Sequence, residues 1–81
     1  MATPAKKRPG NSSYENKREI ANHEKAAVYF ESAAKNHKAV AKYLQEGDCE
    51  KAFRCSIIAQ TKQRLAYECL AEDVSYWIFN N

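Results

Sequence analysis

The sequence predicts an all-α protein: a long antiparallel helical hairpin with an alanine-rich seam, dimerising into a four-helix bundle. Three observations lead there. Residues 23–47 repeat every seven positions as HEKAAVY, FESAAKN, HKAVAKY and LQEG, and a seven-residue apolar period is a helix laying one stripe on a partner helix. Of the two glycines and two prolines, three (Pro4, Pro9 and Gly10) precede residue 11, so the rest of the chain lacks helix breakers apart from Gly47. Gly47 lies between two such segments, where a residue free to adopt the left-handed conformation ends one helix and lets the chain reverse.

The elements follow in order. Residues 1–11, MATPAKKRPGN, hold three consecutive cations and no apolar anchor, a composition that cannot repay the entropy of ordering; they read as a flexible basic arm. A first helix is expected over 12–46, started by Ser12-Ser13-Tyr14-Glu15, which fits a reciprocal capping box. It would run roughly 50 Å at 1.5 Å per residue. Its buried stripe is expected to be Ile20, His23, Ala27, Phe30, Ala34, His37, Ala41 and Leu44, widened by Ala26, Ala33 and Val40. The turn is 47–48, with Asp48 as the next N-cap and Glu50 favourable at the positive helix end. So short a connection makes the helices antiparallel neighbours.

A second helix over 49–78 carries its own ladder, Ala52, Ala59 and Ala66. Folding at the turn is expected to set Ala41 against Ala52, Ala34 against Ala59 and Ala27 against Ala66, drawing the helices to the short end of the usual interaxial range. Phe53, Ile57, Leu70, Val74, Trp77 and Ile78 remain outside that seam. Apolar groups of this size left in water mark an interface, and a second hairpin covering them would give a four-helix bundle. Tyr76-Trp77-Ile78-Phe79 could close its open end.

Size, charge and cysteines bound the function. Eighty-one residues allow one domain, and a lone hairpin buries so little surface that self-association, a dimer in first place, is expected. The formal net charge is +3, but residues 1–18 hold five cations against Glu15, which leaves the body at −1. No segment reaches the ~20 apolar residues of a membrane span, and no signal-like core follows the basic start, so a cytoplasmic protein is expected. On one helix Cys49 and Cys55 would lie about 9 Å apart and Cys55 and Cys69 about 21 Å, beyond disulfide reach and in keeping with reduced thiols.

Three constellations could carry chemistry. Lys6, Lys7 and Arg8 could touch phosphates of a nucleic acid by displacing counterions, although a solubilising terminus is the simpler account. His37 falls level with Cys55 in the hairpin, and His23 with Cys69; a twofold partner would complete a His₂Cys₂ set of the kind zinc or copper takes. Packing is the simpler account here too, since cysteine is often buried for packing alone. Cys–His catalysis would need a cleft, an orienting group and an oxyanion site that an alanine seam does not offer. No phosphate loop, HExxH, GxSxG or EF-hand pattern occurs, so neither an enzyme nor a cofactor is expected.

The segment HEKAAVYFESAAKNHKAVAKYLQEGDCEKAFRCSIIAQ resembles a family of small uncharacterised bacterial proteins built on His-x-x-Ala-Ala heptads, a turn, and a second helix opening with Glu-Lys-Ala. The likeness covers about residues 20–77 and implies a helical hairpin with no assigned activity. Phe30, Cys55, Lys62 and Cys69 stand where that pattern would lead one to expect further histidines. The EGDCEKA turn is also similar to the inter-helix turn of tetratricopeptide repeats, but one helix pair is too few for a solenoid. The expected function is a non-catalytic, self-associating structural or protein-interaction module, with nucleic-acid association and metal binding as alternatives.

Overall fold

Two helices of nearly equal length make up the described residues: α1, Ser13–Gln45, and α2, Cys49–Asn80. The computed structural model describes the backbone of residues 13–80 and the side-chain environment of residues 16–72. The basic arm 1–11, the Ser12 cap and the side chains of Val74, Trp77 and Ile78 lie outside the described residues. Among those described there is no strand, and the principal extents of 53 × 25 × 18 Å are those of a single layer two helices wide.

The reversal is built as the sequence predicts. Gly47 has φ +80°, the left-handed region that a β-carbon disfavours. The Asp48 amide donates to the Tyr43 carbonyl at 2.8 Å and the Gly47 amide to the Leu44 carbonyl at 3.1 Å, the paired bonds of a Schellman motif. Asp48 then caps α2, its Oδ1 accepting from the Lys51 amide at 3.1 Å while its carbonyl accepts from the Ala52 amide. Glu50 sits in the first turn and takes Arg54 as its i+4 partner at 2.9 Å. Both atoms of that pair are exposed, so it adds only a few tenths of a kcal/mol, about 0.3–0.5.

The core is a ladder of methyl groups. Among the described residues Ala26, Ala33, Ala52, Ala59 and Ala66 are the buried apolar ones, Ala59 and Ala66 at 0% exposure. On α2 these are the expected rungs. On α1 the expectation fails by one residue: Ala27, Ala34 and Ala41 are exposed, and Ala26 and Ala33 take the inner place. The seam of α1 is Asn22, Ala26, Tyr29, Ala33, Asn36, Val40 and Tyr43, each buried or half-buried and spaced by alternating fours and threes. Each heptad carries an adjacent pair (Ala26-Ala27, Ala33-Ala34, Val40-Ala41), and one residue is a rotation of ~100°. In the first two pairs either member offers the same small seam residue, so the choice falls to its neighbours.

Those neighbours are the long side chains that close over the edges. Lys62 places its Nζ 5.8 Å from the Tyr29 ring centre, and Lys51 lies 5.6 Å from that of Tyr43. Tyr29 and Tyr43 are thereby partly buried beside the seam, a position that the expected rotation would have denied them.

A candidate interaction face

The one-residue rotation gives the hairpin two unlike sides. Turning ~100° per residue brings the α1 stripe Ile20, His23, Ala27, Phe30, Ala34, His37, Ala41 and Leu44 out of the seam onto one side, here the front. All eight are exposed, Ile20 at 55% and Leu44 at 56%. On the same side α2 presents Phe53, Ser56, Gln60, Gln63, Tyr67 and Leu70, with Ile57 at the edge; Phe53 is 65% and Tyr67 56% exposed. None of these positions is Lys, Arg, Asp or Glu.

Two contacts tie the halves of the front together. The Phe30 and Tyr67 rings meet edge to face, 5.6 Å between centroids at 74°, an arrangement favoured by the ring quadrupoles. His37 Nε2 lies 3.2 Å from Gln63 Oε1. These contacts span the seam without covering it. Among the described residues six large apolar side chains, Ile20, Phe30, Leu44, Phe53, Ile57 and Tyr67, stay open to solvent on or beside this side, against Val28 and Ile58 elsewhere.

The back is polar. Lys25, Lys51, Lys62 and Glu72 line it, and a shallow open hollow runs between Asn22, Lys25, Tyr29, Leu65, Glu68, Cys69 and Glu72. Asn22, 8% exposed, closes the open end by donating from Nδ2 to Glu72 Oε1 at 3.0 Å.

The residues singled out in the sequence divide between these sides. Phe53, Ile57 and Leu70 belong to the front, whereas Val74, Trp77 and Ile78 fall on described helix with undescribed side chains. His23 and His37 are exposed on the front, and Cys55 and Cys69 are half-buried on the back edge of the seam. The alanine ladder therefore runs between the imidazoles and the thiols expected to share a metal. Among the described residues no three His, Cys, Asp or Glu side chains converge on a point where an ion could sit. All three cysteines are free thiols. Lys6, Lys7 and Arg8 lie outside the described residues.

Sequence reasoning missed which α1 stripe faces water. A signal for it exists: the inner stripe holds Asn22, Tyr29, Asn36 and Tyr43, whose polar ends can reach a partner or solvent from the seam edge, while the outer stripe holds Ile20, Phe30 and Leu44. The more apolar of the two is the one left outside. No helix among the described residues is long and apolar enough to cross a membrane. No protein-family model matches this chain, nor does any curated protein or any solved structure.

Proposed function

We propose that this chain is a non-catalytic helical hairpin that associates with copies of itself and serves as a structural or protein-interaction module. The observation that carries this is the uncharged front, where Ile20, Leu44, Phe53 and Tyr67 are each more than half exposed, with Ile57 exposed at its edge. A contiguous apolar side of this kind on a soluble protein marks a binding surface. The interface takes in Phe53, Ile57 and Leu70 and continues along α2 towards Val74, Trp77 and Ile78.

Stability supports the same reading. A core of five alanines returns little transfer free energy, because each methyl buries far less apolar area than the ~1.5–3 kcal/mol side chains of ordinary cores. Association stabilises a fold by binding the native state alone. Free thiols at Cys49, Cys55 and Cys69 fit a reducing compartment such as the cytoplasm. The deciding experiment is sedimentation equilibrium at tens of micromolar: the expected mass is a multiple of 9.2 kDa, twice that value first. A strict monomer across the range overturns the proposal.

A further inference from the structure

Building on that self-association, we propose that the front is covered by a second copy of the same hairpin, lying antiparallel on it about a twofold axis that crosses α1 at the level of Ser32. The pattern of the exposed α1 stripe carries the inference. From His23 to Leu44 it alternates large and small (His, Ala, Phe, Ala, His, Ala, Leu), with Ile20 added at the other end. About the midpoint, each ring meets a methyl. Phe30 falls level with Ala34 of the second copy, His23 with Ala41 and Ala27 with His37, while Ile20 and Leu44 meet at the two ends. A twofold contact requires that self-complementarity, and alternation of knob and hole is how antiparallel helices interdigitate.

The second helix obeys the same axis. Ala33 and Ala59 are both buried rungs of the seam; with these two set level, the axis crosses α2 near Gln60 and brings Phe53 level with Tyr67 of the second copy. The two exposed rings among the described residues of α2, Phe53 and Tyr67, thereby find each other. Charge permits the contact, because no Lys, Arg, Asp or Glu occupies the front positions and two like surfaces meet without repulsion. Area permits it as well. Twenty-four residue steps at ~1.5 Å give ~36 Å, and two helices ~8 Å apart are ~18 Å wide, so each copy contributes ~650 Å². The total of ~1,300 Å² lies within the range of specific, stable interfaces, ~1,200–2,000 Å².

The test is sedimentation velocity on the full chain with three substitutions. Ala34→Glu and Ala27→Lys each put a charge into the front without touching the seam, since both alanines are exposed. Each is expected to weaken dimerisation at least ~100-fold, because an unpaired charge buried at an interface costs several kcal/mol, with helix content by circular dichroism unchanged. Val28→Glu, at a 61% exposed position away from the front, is expected to leave the dimer intact. Orientation is read separately by Ile20→Cys with Leu44→Cys in a chain whose native cysteines are serine: oxidation is expected to yield covalent dimers linked 20 to 44. A wild-type monomer removes both the face and the self-association. A dimer that survives Ala34→Glu and Ala27→Lys keeps self-association and overturns this face, and linkage only of 20 to 20 and 44 to 44 overturns the antiparallel twofold.

Discussion

Asn22 and Glu72, fifty positions apart in the chain, are joined by a 3.0 Å hydrogen bond from amide to carboxylate across the open end of the hairpin. Asn22 is the one buried polar residue of the described seam. A polar residue at a seam position fixes register at some cost in stability. Asn22→Ala is expected to lower the free energy of unfolding by about 1 kcal/mol, in line with a hydrogen bond whose acceptor can return to water. Urea denaturation checks the magnitude, and amide exchange should speed up most near residues 20–25 and 66–72.

The rotation of α1 is testable by a pair of adjacent substitutions. Ala33 is 4% exposed and Ala34 lies outside the seam. Ala33→Leu is expected to force the helices apart at a cost of about 1–3 kcal/mol, as overpacking does. Ala34→Leu, measured at concentrations low enough to keep the protein monomeric, should change hairpin stability by less than about 0.5 kcal/mol. The reverse order would restore the seam through Ala27, Ala34 and Ala41.

At the turn two residues act by different means. Adding a β-carbon at Gly47 meets nothing within 4 Å, so the penalty comes from its φ of +80° alone; Gly47→Ala is expected to cost about 1 kcal/mol. Asp48→Ala removes the acceptor of the Lys51 amide and is expected to cost about 1 kcal/mol through the lost cap. Thermal unfolding followed by circular dichroism reads both.

The cysteines differ in access. Cys49 is exposed and Cys55 and Cys69 are half-buried. Maleimide labelling of the native protein, located by peptide mass mapping, is expected to modify Cys49 first; equal rates at all three would show that the seam opens faster than the reagent reacts.

The hairpin was legible in the residues because its signals agree. The seven-residue period, the absence of breakers and the Gly47-Asp48 pair each call for the same two rods, and Tyr43, Leu44 and Lys51 supply the backbone partners that the turn requires. The face of α1 was not legible from alanine alone. A doubled Ala-Ala in the first two heptads satisfies two rotations equally, and the decision rests on Tyr29 and Tyr43 finding Lys62 and Lys51 across the back edge. Those are contacts between residues 33 and 8 positions apart, invisible to a pattern read along one helix. The His–Cys pairing was read from counting residues along the rods, which fixes height alone, whereas azimuth follows from the seam: His23 and His37 are exposed while Cys55 and Cys69 are half-buried.

Because the backbone passes from α1 to α2 at the Gly47 turn and the far end is held by the Asn22–Glu72 hydrogen bond, force applied across Ser13 and Asn80 would break that bond and then peel the rods apart like a zip rather than shear them lengthwise. Rungs made of single methyl groups resist peeling weakly and one at a time. The rod is thus stiff against compression along its 53 Å length yet yields readily when its two loose ends are drawn in opposite directions, and a second hairpin clasped along the flank would be the splint that prevents it.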